Sequence, residues 1–276
     1  MSFGVLICLL LAHFVADFPL QSKKILNLKK SSDLKQCLLG NTIHAGIYFA
    51  VALVSVIYYW SSSILLIVLI ISLLHAFIDC IKSFAIYKKP FLNYSTKIFL
   101  IDQIIHVLGI WLVFYFVNMK PPVSLSIKTY MNKIVSDFKT MAAGITYNQK
   151  LLLSFVLLVI GLWTVGVFIR ILFNGMKFKE NKGAINLKLE IITFNKKDGA
   201  DDGGFIIGIL ERLFIIISIE LNMPLVIGFI LTAKSVARLK KFDDDLFVEI
   251  FIIGSFISFI SAIVIGYIIK MLIMVP

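Results

Sequence analysis

The chain has 276 residues, of which 59% are hydrophobic and only 16% charged, and it carries a formal net charge of +11 at pH 7. A soluble domain runs near ~45–50% apolar and ~25% charged, so a water-soluble globular enzyme, a disordered chain and a collagen-like fibre are all excluded. Cys8, Cys37 and Cys80 are an odd set without metal-ligand pairing, which excludes a disulfide scaffold and leaves an all-α, polytopic transmembrane helical bundle.

A spanning helix needs ~20 mostly apolar residues. In chain order, the apolar runs 3–20, 42–60, 64–85, 98–117, 151–173, 205–221, 224–239 and 246–274 give about eight candidates. The first lacks a basic leader and a small-residue cleavage site and carries His13 and Asp17, so it is expected to be a permanent span, not a signal peptide. The sixth and seventh are short. Asn222-Met223-Pro224 between them is a turn signal, and the two form either a close hairpin or a partly re-entrant pair. The expected organisation is a four-helix membrane half (1–119), an extracytoplasmic loop (120–150), a fifth helix (151–174), a cytoplasmic linker (175–203) and a three-helix C-terminal half with a charged cluster (204–276). The acidic glycine run at 198–204 has the wrong spacing for a calcium loop and is expected to be a solvated turn.

Lysines set the expected orientation. Lys23, Lys24, Lys29, Lys30 and Lys35 fall in an expected loop, 21–37, between the first two spans, and Lys88 and Lys89 follow the third, flanked by Lys82 and Lys97. Lys177, Lys179, Lys182, Lys188, Lys196 and Lys197 crowd the linker, and Lys240 and Lys241 follow the seventh span. Alternation puts all of these on one side, and the positive-inside rule makes that side cytoplasmic, with both termini outside. The 120–150 loop also holds five lysines, but it is long enough to translocate regardless. This bias accounts for the net charge, so no nucleic-acid partner is expected. Tyr58, Tyr59 and Trp60 would mark the outer interface.

The chain has four histidines, all within the first four spans, and three stand four residues from an aspartate. The pairs are His13 and Asp17, His75 and Asp79, and, reversed, Asp102 and His106, while His44 lies near the start of the second span. Spacing i, i+4 puts both members of a pair on one helix face. The reversal follows from topology, because the fourth span runs opposite to the first and third. All seven groups can therefore share one layer, about 6–15 Å in from the cytoplasmic lysines at ~1.5 Å per residue. An ionisable group at such depth costs ~2.5–3.5 kcal/mol on insertion scales. With no lysine expected among the three aspartates, something else must neutralise them. A divalent cation does so, and imidazole with carboxylate suits zinc, iron or manganese. A neutral hydrogen-bond network and a proton relay are the competing readings. Seven candidates exceed the four ligands of one tetrahedral zinc, so either two ions share the cluster or spare groups serve as base and supports.

A second cluster lies in the C-terminal half. Glu211 and Arg212 follow Gly204 and Gly208 on the sixth span, Lys234 and Arg238 share a face of the seventh, and Glu249 lies on the eighth. These residues are read either as ion pairs that hold the bundle together or as a cationic clamp for an anion presented to the metal layer. Arg170, at the inner end of the fifth span, is expected to snorkel.

The run from Leu11 to Gln21 containing His13 and Asp17, then His44, His75 to Asp79 and Asp102 to His106, resembles a bacterial membrane family catalogued as domain of unknown function 3307. The segments Gly208 to Arg212 and Ala233 to Arg238 resemble its longer members. The family implies a multi-pass protein of the bacterial cytoplasmic membrane and no activity. It is more distantly similar to bacterial membrane-bound metal-dependent hydrolases, and through them to zinc phospholipase C-like enzymes. The N-terminal tryptophan ligand of those enzymes is absent, so a three-metal site is not carried over.

The expected function is a membrane-embedded metal-dependent hydrolase of a phosphoester or lipid phosphate, with one or two zinc ions and membrane lipid as the surrounding partner. His13, Asp17, His44, His75, Asp79, Asp102 and His106 are the candidate ligands. Asp102 and Asp79 are the candidates to activate water, and Lys234, Arg238, Arg212, Glu211 and Glu249 the candidates for the substrate side. The alternatives are a divalent metal-ion transporter, and a non-catalytic membrane partner or immunity protein with a structural metal. A transporter needs access from both sides, whereas the polar groups here crowd one side. Serine-hydrolase, gluzincin and nucleotide-binding motifs are absent from the sequence.

Overall fold

A computed structural model describes residues 3–31, 33–88, 95–118, 144–175 and 203–274. All regular structure among these residues is helical. In chain order the helices are α1 (Phe3–Asp17), α2 (Lys23–Lys29), α3 (Leu34–Ser55), α4 (Ser62–Lys88), α5 (Thr96–Asn118), α6 (Tyr147–Val159), α7 (Val165–Gly175), α8 (Gly203–Glu220), α9 (Leu225–Val236) and α10 (Asp245–Met274). A π-helical turn, Ile160–Thr164, joins α6 to α7. Most of the expected 120–150 loop and 175–203 linker, with the run at 198–204, lies outside the described residues.

Apolar runs become helices here because a backbone in lipid must satisfy its own polar groups. Short polar side chains mark where they begin. Ser22 Oγ accepts from the Ile25 amide at 3.4 Å, Asp33 Oδ1 from Lys35 at 3.0 Å, Ser61 Oγ from Ile64 at 3.2 Å and Asp244 Oδ1 from Leu246 at 3.0 Å. Among the described residues, five helical stretches are long and apolar enough to cross a membrane: α3, α4, α5, the continuous 147–174 stretch and α10. α1 and α9 are apolar but shorter, and α8 carries Glu211, Arg212 and Glu220. On α4, the stripe Leu66, Leu69, Leu73, Phe77, Ile81 and Phe84 is exposed. So large an apolar face would be a liability in water and is ordinary in lipid, as expected for a membrane-embedded protein.

The residues group into two compact units, one built from 1–93 and 100–159, the other from 94–99 and 160–275. The first unit is polarised along its length. Val5 and Leu9 of α1, Tyr48, Ala52 and Val56 of α3, Ile64, Ile67 and Ile71 of α4, and Ile110 and Phe114 of α5 form an apolar core. These residues come from the start of α1 and α4 and the end of α3 and α5, so one end of the antiparallel bundle is apolar. The opposite halves of the same helices carry all seven His and Asp candidates, each buried. The expectation of a loop at 21–37 is corrected. The structure places α2 there and starts α3 at Leu34.

In the second unit α8 packs against α10. A Cβ on Gly266 would lie 2.8 Å from Ile219 Cδ1 and 3.5 Å from Ile216 Cα, so the glycine eases this close approach. The expected turn after the sixth span is present. Asn222 has φ 57°, the left-handed region that asparagine tolerates, and Met223 N–H donates to the Ser218 carbonyl at 2.8 Å. Lys270 Nζ donates to the Ile219 carbonyl at 2.9 Å and to Asn222 Oδ1, closing the C-terminal end of α8 with a cation. Asn222→Gly should therefore be tolerated more readily than Asn222→Ile. The latter is expected to lose about 1–2 kcal/mol from backbone strain and the Lys270 contact as well, read as a lowered thermal midpoint in detergent.

Candidate functional site

Four helices of the first unit send their ionisable side chains to one place. Asp17 Oδ1 lies 3.1 Å from His44 Nε2, 3.4 Å from His75 Nε2 and 3.8 Å from His13 Nδ1. Asp79 Oδ2 lies 3.5 Å from His44 Nε2 and 3.4 Å from His75 Nε2. The two Nε2 atoms of His44 and His75 are 3.1 Å apart. His106 closes the other side, its ring 4.5 Å from that of His75 and stacked on His13 at 5.0 Å. The i, i+4 spacing delivers each pair as helix geometry requires, and the antiparallel order of α1, α3, α4 and α5 brings the pairs to one level.

The expected absence of lysine is corrected by the structure. Lys29 Nζ donates to Asp79 Oδ2 at 2.7 Å, and Lys82 Nζ to Asp102 Oδ2 at 2.6 Å. Both carboxylates are therefore already paired with cations. A sequence signal existed for Lys82, which follows His75 and Asp79 on the same helix, α4, and sits three residues past Asp79 on its face. None existed for Lys29, which comes from fifty residues away on a helix that was not expected. Asn41, one turn before His44, turns away from the cluster. Its Nδ2 donates to Ser83 Oγ at 3.1 Å and to the Cys37 carbonyl at 3.0 Å, tying α3 to α4.

Asp17 Oδ1, His44 Nε2, His75 Nε2 and Asp79 Oδ2 lie close together, and His44, His75 and Asp79 offer ligand atoms near enough for one ion. Ligands held tetrahedrally at ~2.0–2.1 Å are about 3.3–3.4 Å from one another, and five of the six separations among these four atoms span 3.1–3.5 Å. Tyr48 holds the His75 ring by parallel stacking at 4.5 Å and 5°. Three donor groups have ligand atoms close enough for an ion: His13, Asp17 and His75; His44, His75 and Asp79; and Asp79, Asp102 and His106.

The C-terminal candidates are partnered within the second unit. Lys234 Nζ donates to Glu211 Oε2 at 2.6 Å. Arg212 is buried, with Nη2 donating to the Leu162 carbonyl at 2.7 Å and Nη1 to Ser258 Oγ at 3.1 Å. Leu162 lies in the π-helical turn, where the altered ladder frees carbonyls for other partners. Gly166 and Gly208 make room for the guanidinium, since a Cβ would sit 2.8 Å and 3.1 Å from its nitrogens. Arg238 lies two residues past Val236, the last residue of α9. Glu249 is exposed.

Fold and cluster together define an all-helical, membrane-embedded protein with a buried histidine–aspartate centre. Residues 5–135 match the family model described as "Protein of unknown function (DUF3307)", which supports the resemblance drawn from the histidine motifs. That stretch contains every member of the centre. No curated protein and no solved structure matches the chain.

Proposed function

We propose that the chain is a membrane-embedded, metal-dependent hydrolase of a phosphoester or lipid phosphate, with zinc held by Asp17, His44, His75 and Asp79. The working topology has eight crossings with the centre toward the cytoplasmic leaflet. The observation that carries the metal is the double contact at His44 Nε2, 3.1 Å from both Asp17 Oδ1 and His75 Nε2. A neutral imidazole nitrogen offers one proton or one lone pair, so a proton network serves only one of these contacts. A cation serves both, along with the contacts to Asp79.

When bound, a divalent ion supplies Lewis-acid polarisation and activates water at neutral pH. Asp102 is held through Oδ2 by Lys82 at 2.6 Å and by Gln103 at 3.2 Å. Its Oδ1 has no hydrogen-bond partner among the described residues, which leaves that oxygen able to take a proton. Asp79 is the second candidate base, oriented by Lys29. Three carboxylates against two ammonium groups leave one negative charge, and a divalent ion makes the centre net positive, the sign that draws a phosphate. The Lys82 side chain, 31% exposed, is placed to meet that phosphate first. The apolar end of the unit argues for entry from the polar end, and hence against passage of an ion through the bundle.

The lysine pairs also favour a second reading, a non-catalytic membrane partner whose buried charges are balanced without metal. The test is phosphate release from phosphatidate and lysophosphatidate by detergent-purified protein, zinc-loaded and chelator-stripped. Release by the loaded form alone, lost in Asp102→Asn, is expected. Bound zinc with no release from any phosphoester presented would overturn the hydrolase, and zinc flux into liposomes would select the transporter.

A further inference from the structure

We infer that the centre holds a second cation, bound by His106, Asp102 and Asp79, the last shared between the two positions, with His13 alongside; this rests on the first position being a metal site. His106 Nδ1 is 2.8 Å from the Asp102 main-chain carbonyl, which can only accept, so Nδ1 carries the proton and Nε2 presents a lone pair. That Nε2 is buried and has no hydrogen-bond partner among the described residues. The same holds for Asp102 Oδ1, while the Gln103 side chain is within hydrogen-bonding reach of the His13 ring. His13, Asp102 and His106 are 0%, 5% and 2% exposed. Leaving a buried lone pair and a buried carboxylate oxygen unmet is costly.

The polarity of these atoms selects the ligand. The His106 lone pair and the Asp102 carboxylate oxygen are both acceptors, so an anion would meet only repulsion there. A cation, or one water donating to both of them, fits. Asp79, Asp102 and His106 offer ligand atoms within 4.8 Å of one another, and so do His13, Asp17 and His75. The two positions differ in kind. Four protein donors saturate the first, the pattern of structural zinc, whereas three donors with His13 alongside leave the second an open place, the pattern of catalytic zinc. With this second ion bound, the water-activating role passes to it and Asp102 serves as its ligand instead of as the base; a phosphate oxygen of the substrate binds there, with the first ion holding α1, α3 and α4 in register around it.

The test is an equilibrium titration of the detergent-purified full chain with cobalt(II), read by its visible d–d absorption and by elemental analysis after gel filtration. Two ions per chain are expected in the wild type. Asp102→Asn, which keeps side-chain volume, and His106→Ala should each retain one ion and weaken the other by roughly 100-fold or more. His44→Ala should instead lose the tetrahedral absorption of the first. Manganese-loaded wild type should give an exchange-coupled electron paramagnetic resonance signal, and Asp102→Asn an isolated one. One ion in the wild type, lost in His44→Ala and kept in both other variants, would overturn the second position, leave the first standing and assign the orphaned atoms to a water. Two ions that persist in both second-position variants would overturn it too. No bound ion at all would remove both positions together.

Discussion

His75→Ala should strip the purified protein of its bound transition metal, with affinity falling by roughly 100-fold or more, since even outer supports of a metal site are worth ~10–100-fold. Its Nε2 contacts Asp17, Asp79 and His44 at 3.1–3.4 Å, which places it at the middle of the proposed ligand set. Tyr48 offers an internal control. Its ring stacks on His75, while its hydroxyl is buried without a hydrogen-bond partner among the described residues. Tyr48→Phe keeps the stack and removes an unmet polar atom, so it should bind metal normally and melt at the same temperature or higher. Tyr48→Ala should lower both metal affinity and stability by freeing the imidazole. Retained metal in His75→Ala, measured by elemental analysis, would remove the first position.

The second large effect is expected at Gly40. A Cβ there would lie 2.7 Å from both the Leu28 Cβ and the Lys29 backbone nitrogen. The obstruction is backbone, so α2 itself must move. Gly40→Ala should therefore cost about 1–3 kcal/mol from overpacking. Because α2 carries Lys29, the same shift pulls the ammonium from Asp79, and breaking a buried ion pair from one side costs about 3–5 kcal/mol. Gly46, on the same helix, would meet nothing within 4 Å of an added methyl group, so Gly46→Ala should be neutral or slightly stabilising through helix propensity. Thermal unfolding of the two variants side by side in detergent checks this. Equal midpoints would mean that α2 is not seated on α3 as described.

The histidine–aspartate pairs were legible because their information is local. Spacing of four on a helix fixes a face, and the reversed pair on α5 matches the reversed chain direction. Helical class was legible for the same reason, since long apolar runs leave the backbone no alternative in lipid. What sequence could not supply was information carried across the fold. Lys29 reaches Asp79 from a seven-residue helix hidden in what looked like a loop. Arg212 finds a main-chain carbonyl, not a carboxylate, because a π-helical turn exposes one at Leu162, and such turns have no simple residue signature. Of the eight apolar runs, five are helices of membrane-spanning length among the described residues, while α1 and α9 are shorter and α8 carries three charges.

The two lysines at the centre have a consequence for biogenesis. With Lys29 on Asp79 and Lys82 on Asp102, the newly made bundle can enter the bilayer with most of its charge already cancelled. Translation and insertion then do not wait on the cell's supply of trace elements. On the proposed function, a cell starved of them would accumulate intact, dormant protein, to be activated by later uptake without fresh synthesis.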